Sequence, residues 1–259
     1  MTAAFDPDAA ARWVASQHAT RAPYANVPAP LTPPTIADAY TAQEALHKLW
    51  TPERGPVVGL KIATTTKVMQ QLMGIDHPCA GAIFESGLHT SPATIIAKSF
   101  QHLVIECELA LRLVIDLPKK AEPWTRETVR LAISTVMPSF ELIEDRNAVY
   151  KDCRVTSLIA DNAWNGGIVL GKPKTASNAT IDGLAGQLTI NGRVAGSGKT
   201  DDPLGALAWL ANLAADRGRP LKANQVVITG SVMPTHPVSV GDELVFALAG
   251  LGEVRMTVA

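Results

Sequence analysis

The residues with the most chemical content are two glutamates set one residue apart inside an apolar run. The segment reads Leu103-Val104-Ile105-Glu106-Cys107-Glu108-Leu109-Ala110-Leu111. In a strand, alternate residues share a face, so Leu103, Ile105, Cys107, Leu109 and Leu111 make one apolar surface. Glu106 and Glu108 then project together from the opposite face, flanked by Val104 and Ala110. Two carboxylates this close in a buried setting repel one another and resist ionisation. A hard divalent cation between them removes the conflict, and oxygen ligands at alternate positions suit Mg²⁺ or Mn²⁺. Glu141 has a similar setting, after Pro138-Ser139-Phe140 and before Leu142-Ile143. A lone glutamate on an edge strand is ordinary; a close pair with a third acid in an apolar run reads as a metal site.

The elements that would hold these acids are also legible. Asp6 to Arg21 reads as a helix, with Asp6 as cap, Pro7 in the first turn and Ala10, Trp13 and Val14 on one face. Ala22 to Pro34 holds five prolines and reads as a linker. Thr35 caps a second helix with Ile36, Ala39, Tyr40, Leu46 and Trp50 on a stripe. These helices predict a small N-terminal helical lobe, residues 1–55, packed on a main domain, residues 56–259. In the main domain a strand is expected over His102 to Val114, and Asn191-Gly192 marks a hairpin. A helix is expected over Ala206 to Ala215, with Asp201 or Asp202 as its cap and Gly218 beyond its end. Further strands are expected at Val226 to Thr229 and Glu243 to Leu248. Strands that cluster rather than alternate with helices predict an α+β domain with a large mixed sheet.

With those elements in place, a family resemblance emerges. Ile105-Glu106-Cys107-Glu108, followed at a distance by Pro138-Ser139-Phe140-Glu141, resembles the E-x-E…E metal site of the fumarylacetoacetase superfamily. The nearer likeness is to its 2-hydroxypenta-2,4-dienoate (2-keto-4-pentenoate) hydratase and 4-oxalocrotonate decarboxylase branch. Gly59-Leu60-Lys61-Ile62, Lys67-Val68-Met69-Gln70 and Gly74-Ile75-Asp76-His77-Pro78 resemble its G-x-K-I…K-x-x-Q…G-x-D-x-P stretch. Ala160-Asp161-Asn162-Ala163 is similar to its A-D-N-A turn, Ile228-Thr229-Gly230 to its I-L-T-G strand, and Ala39-Tyr40-Thr41-Ala42-Gln43 to its A-Y-x-x-Q helix. The matches run in order from about Thr35 onward.

The resemblance implies the mixed β-sheet roll of the fumarylacetoacetase C-terminal-like fold. It implies an ion held by Glu106, Glu108 and Glu141 that chelates the carboxylate and 2-oxo oxygen of a small 2-oxo or 2-hydroxy acid and acts as an electron sink. Lys61 and Asp76 would be the catalytic groups, Lys61 holding a substrate carboxylate or moving a proton, and Asp161, Asn162 and Thr229 would contact substrate. The implied activity is hydration of 2-hydroxypenta-2,4-dienoate-type acids in aromatic catabolism. Decarboxylation of a 4-oxalocrotonate-type acid and hydrolysis of an acylpyruvate are rivals that share the metal. Two positions depart from the pattern. Cys79 stands where the branch often has a second acid, and a thiol is a poor base at neutral pH unless its pKa is lowered. Trp164 stands where hydratases tend to have a serine that bonds substrate. These departures motivate a second class of reading, a non-catalytic subunit of a complex with a related decarboxylase or hydratase. The family otherwise implies a homo-oligomer.

Composition narrows the field from outside. A chain of 259 residues, 47% hydrophobic and 18% charged, has ample core material. A net charge of −1 gives no pull toward nucleic acid, and the five tryptophans lack the basic background of a stacking surface. No apolar run approaches the roughly 20 residues of a membrane span. Met1 to Asp8 carry two aspartates and no basic stretch, which argues against a secretory leader. Three widely spaced cysteines, Cys79, Cys107 and Cys153, fit reduced thiols in a cytoplasm. Gly196-Ser197-Gly198-Lys199-Thr200 imitates the end of a phosphate-binding loop, but that pattern needs glycine where Arg193 stands. The histidines lack zinc spacing, and His77 reads as a loop residue near Asp76. Glu144-Asp145-Arg146 reads as a solvated turn or a salt-bridged site wall.

Overall fold

The structure, a computed structural model, describes residues 5–176 and 180–259. Residues 1–4, part of the stretch weighed as a leader, lie outside that range. Asp6 accepts a hydrogen bond from the Ala9 N–H at 3.0 Å and Pro7 opens α1 (Pro7–Ala19). Thr35 caps α2 (Ile36–Arg54) through the Asp38 N–H at 3.1 Å. Ala10, Ala11 and Val14 meet Ala42, Leu46 and Trp50 in an apolar cluster that Ala82, Phe84 and Ala160 complete. The helical segment therefore shares its core with the body of the chain.

The body runs through β1 (Val57–Ala63), α3 (Lys67–Met73), β2 (Cys79–Phe84), β3 (Leu88–Thr90), β4 (Ala93–Ile95) and β5 (Leu103–Leu113). Next come α4 (Arg126–Arg130), β6 (Ile133–Glu144), α5 (Val155–Ala160), β7 (Asn165–Leu170), β8 (Lys174–Thr175), β9 (Ala185–Ile190) and β10 (Arg193–Lys199). α6 (Pro203–Asp216), β11 (Val226–Ser231), β12 (His236–Pro237), β13 (Glu243–Leu248) and β14 (Gly252–Val258) follow. Among the described residues the larger sheet has the order β2-β1-β11-β5-β6-β7-β3, with β12 on β5 and β8 on β6. The smaller has the order β10-β9-β13-β14-β4. Parallel pairs β1–β11 and β3–β7 sit among antiparallel ones, giving the mixed α+β architecture expected.

The strand carrying the glutamate pair is the centre of this arrangement. Leu103, Ile105, Cys107, Leu109 and Leu111 all enter the main core, where Phe140 and Leu142 of β6 meet Leu188, Leu244 and Phe246 of the smaller sheet. Each fully buried aliphatic side chain contributes about 1.5–3 kcal/mol. A slip of β5 by one residue would exchange those side chains for Glu106 and Glu108, so the apolar face fixes the register of the acids. Local signals agree. Asn191 and Gly192, at φ +51° and +74°, make the two-residue turn between β9 and β10. Asp202 caps α6 by accepting from the Gly205 N–H at 3.0 Å. Gly196 to Lys199 lie in the antiparallel strand β10, not in a phosphate loop.

The Glu144-Asp145-Arg146 run is not a solvated turn, because Asp145 and Arg146 are buried. Asp145 receives the Tyr150 hydroxyl at 3.0 Å and faces His102 Nδ1 at 2.6 Å. Arg146 pairs with Asp161, whose other oxygen lies 2.6 Å from His18 Nε2 of α1. This pairing anchors a strained turn in which Asn162, Ala163 and Trp164 have φ of +53°, +46° and +58°. Asn162 accepts from the Ala82 N–H at 2.7 Å, donates to the Ala82 carbonyl at 2.9 Å and faces His47 Nε2 at 2.8 Å. Gly81 is required beneath it, since a Cβ there would stand 2.4 Å from the Asn162 carbonyl oxygen. Replacing Asn162 by alanine strands these partners in the core. The expected cost is about 2–4 kcal/mol, read as a lower urea midpoint at unchanged m-value.

Candidate metal centre

Register on the larger sheet brings the acids together. Glu106 of β5 lies directly opposite Glu141 of β6, and Glu108 lies opposite Ser139. Opposed residues on neighbouring strands share a face, so one surface of the ladder carries all three carboxylates. One oxygen from each falls within 4.8 Å of the others. Glu108 and Glu141 are fully buried, while Glu106 is partly exposed and leaves an approach from one side.

Each carboxylate is held by one oxygen. Thr235 donates its hydroxyl to Glu106 Oε1 at 2.6 Å, and the Gly230 N–H donates to Glu108 Oε2 at 2.7 Å. Asn165 Nδ2 donates to Glu141 Oε1 at 2.9 Å, and Lys61 Nζ lies 3.0 Å from the same oxygen. Gly230 can turn its N–H toward Glu108 because the β11–β5 ladder breaks between Ile228 and Ser231 and Gly230 adopts φ +111°. Glu108 Oε1 and Glu141 Oε2 are buried without a hydrogen-bond partner. Orphaned carboxylate oxygens are expensive unless a cation takes them. An all-oxygen donor set with two such lone oxygens fits a hard divalent ion.

The electrostatics state the same need. Burial, and then Glu141 and Glu106, push the Glu108 carboxyl well above the usual carboxylate range. Burial also raises Glu141, against the pull of Lys61. For Lys61, burial favours the neutral amine, but Glu141, Glu106 and Glu108 together raise its pKa above the ordinary value. Burial pushes the Cys79 thiol up, the reverse of what a thiolate base would need. Its sulfur instead receives the Thr64 hydroxyl at 3.5 Å.

A cavity of about 460 Å³ opens beside the cluster with Lys61 and Glu106 in its wall. Met69, Met73, Ile143, Leu158 and Trp164 supply much of the rest. Tyr24 and Tyr150 flank the Trp164 indole at centroid distances of 5.1 and 5.2 Å.

Of the residues expected to serve the site, the structure gathers Lys61, Glu106, Glu108 and Glu141. Asp76 is exposed in the loop between α3 and β2, outside the cavity wall. The side chains of Asp161 and Asn162 are engaged by Arg146, His18, His47 and Ala82, and neither residue lines the cavity. Thr229 donates its hydroxyl to the Leu109 carbonyl at 3.1 Å and faces a neighbouring pocket. Asn165 and Thr235, which orient Glu141 and Glu106, were not among the expected residues. Asn165 carried a faint signal, a polar side chain following the A-D-N-A turn; nothing in the sequence around Thr235 marks it.

Comparison with known proteins follows the same lines. The fumarylacetoacetate (FAA) hydrolase C-terminal family matches residues 76–259. The chain belongs to this family. It is 30% identical over 223 residues to the 2-hydroxyhexa-2,4-dienoate hydratase of Comamonas testosteroni, spanning 84% of each chain. It is 31% identical over 224 residues to the 2-keto-4-pentenoate hydratase of Burkholderia vietnamiensis, spanning 85% of this chain and 84% of that one. Among solved structures, the 4-oxalocrotonate decarboxylase from Pseudomonas putida G7, complexed with magnesium and adipate, superposes with a TM-score of 0.90. At 24% identity, with 98% of this chain and 97% of that chain covered, this likeness concerns the fold.

Raised carboxyl pKa values have a thermodynamic consequence. A group whose folded pKa exceeds its unfolded value stabilises at low pH, and that stabilisation is lost as pH rises through the folded pKa. In chelator, the melting temperature of Glu108→Gln should therefore gain on that of the native chain as pH rises above the ordinary carboxylate range. Saturating Mg²⁺ or Mn²⁺ should reverse the order, since a neutral amide lacks the charge to hold the ion. A difference independent of pH and metal would count against the centre.

Proposed function

We propose that this chain is a divalent-metal-dependent hydratase, a carbon–oxygen lyase, acting on 2-hydroxypenta-2,4-dienoate-type (2-keto-4-pentenoate) acids. The observation that carries the reading is the cluster of three carboxylates with two unpartnered oxygens beside Lys61. It occurs in a chain about 30% identical over most of its length to proteins named as hydratases of such acids. Glu106, Glu108 and Glu141 would hold Mg²⁺ or Mn²⁺. Bound there, the ion supplies Lewis acidity at the carboxylate and 2-oxo end of the substrate. Lys61, whose pKa its three acidic neighbours raise against the effect of burial, would hold the substrate carboxylate or move a proton. Thr235, Asn165 and the Gly230 N–H keep the three carboxylates oriented. Asp76 could take part only after movement of the α3–β2 loop, so the proton-transfer assignment rests on Lys61. A place in aromatic breakdown, a cytoplasmic setting suited to three unpaired thiols and a homo-oligomeric state belong to the same reading.

A second reading has one specific observation behind it. Cys79 is buried, and burial raises its thiol pKa, at the position where the family resemblance implies an acid, which favours a silent subunit that partners an active decarboxylase or hydratase.

The deciding experiment follows loss of freshly generated 2-hydroxypenta-2,4-dienoate in Mg²⁺, Mn²⁺ or EDTA, with products identified by NMR. Metal-dependent formation of 4-hydroxy-2-oxopentanoate is expected. Lys61→Met should lose at least about 100-fold in kcat, while Asp76→Asn stays close to the native rate. No turnover by the metal-loaded protein alone, followed by activity on adding a related enzyme, would favour the silent subunit.

A further inference from the structure

We infer that the protein has a second binding site, for a small organic carboxylate, in a cavity that none of the three clustered glutamates lines. This cavity, of about 580 Å³, lies between α1, α2 and the segment joining β4 to β5. It shares no wall residue with the cavity beside Lys61. The inference goes beyond the hydratase reading and does not depend on it.

Arg21, Arg54 and Arg146 stand in the wall, each with unused capacity for an anion. Arg146 is 1% exposed and gives Nη2 to Asp161, while its Nε and Nη1 are buried without a partner. A guanidinium is shaped to hold a planar anion through paired N–H donors, and bare donors in the interior are costly. Arg54 lies 3.5 Å from the centroid of the Trp50 ring and, among the described residues, has no ion-pair partner. Burial lowers its pKa, and Asp161, Glu53 and Glu144 do not offset that effect. Arg21 donates to the carbonyls of Lys98 and Phe100 at 3.0 and 2.6 Å, neutral acceptors that leave its charge uncompensated.

The acids nearby are committed elsewhere. Both oxygens of Glu144 accept backbone N–H groups, from Gln101 at 2.6 Å and His102 at 3.0 Å. Asp161 is held by Arg146 and His18, and Glu53 is exposed to solvent.

The rest of the wall selects among anions. Trp50, Phe100, Leu49, Ile95 and Ile96 set apolar surface beside the guanidiniums. A hydrated inorganic anion gains nothing from that surface, whereas a carboxylate with an apolar body covers it. Asn165, which donates to Glu141, also stands in this wall. An occupant therefore meets supports of the metal centre rather than its ligands.

The test titrates benzoate calorimetrically into the protein in the presence of Mg²⁺. One benzoate per chain is expected, with Kd at or below about 1 mM. Benzamide has the same shape without the charge, and inorganic phosphate has charge without the apolar body. Each should bind at least about 10-fold more weakly than benzoate. Arg54→Gln should weaken benzoate at least about 10-fold, while Glu106→Gln, at the metal centre, shifts it less than about 2-fold. Ile96→Glu adds a repelling charge at an exposed position of the wall. It should weaken benzoate without lowering the melting temperature, which separates loss of the site from loss of the fold. Benzamide or phosphate binding as tightly as benzoate would overturn the inference. So would loss of binding in Glu106→Gln alone, indifference to both Arg54→Gln and Ile96→Glu, or no binding. Turnover of the dienoate, or its failure, bears on none of these outcomes.

Discussion

Three like charges on one face of a sheet are the constraint around which this protein is built. Their repulsion must be outweighed, and the opposite face of the same strand supplies the means. Five apolar side chains of β5 enter the main core and hold the strand in register. The acids cannot relax by slipping or by turning outward, because either motion would expose that face to water. What remains is chemical relief, by protonation or by a cation, and the raised carboxyl pKa values express the first of these.

The supports around the cluster follow from this confinement. Lys61 supplies one positive charge from β1, two strands away from β5, and reaches Glu141. A single lysine cannot satisfy three carboxylates, and two oxygens stay bare. Donors from separate parts of the chain fix one oxygen of each acid, which leaves the other free. Carboxylates oriented in advance in this way would need little reorganisation to take up a cation. The arrangement is a compromise between stability and function, with strain also stored in the left-handed turn at Asn162 to Trp164.

That turn shows how the helical segment contributes. His18 of α1 and His47 of α2 bind Asp161 and Asn162, so both N-terminal helices press on the turn that presents Trp164 to the cavity. Tyr24, from the linker, packs edge-on against the same indole. Residues 5–55 thus brace the cavity wall, and none of them belongs to the carboxylate cluster.

The sequence by itself determined the strand of β5, its two faces, the three carboxylates and the lysine. Those follow from local rules: alternation along a strand, helix caps at Asp6, Thr35 and Asp202, and the Asn191-Gly192 turn. Tertiary structure decided which polar residues serve the site and which serve the scaffold. Asp161 and Asn162 have the composition of substrate ligands, yet their partners come from α1, α2, β2 and the loop after β6, and those contacts bury them in the framework. Thr235 and Asn165 have no distinguishing pattern along the chain, yet pairing across the sheet delivers them to Glu106 and Glu141. The physical reason is range. Periodicity and capping act over a few residues, whereas a hydrogen bond's partner can stand a hundred residues away, where only the packed sheet brings the two together.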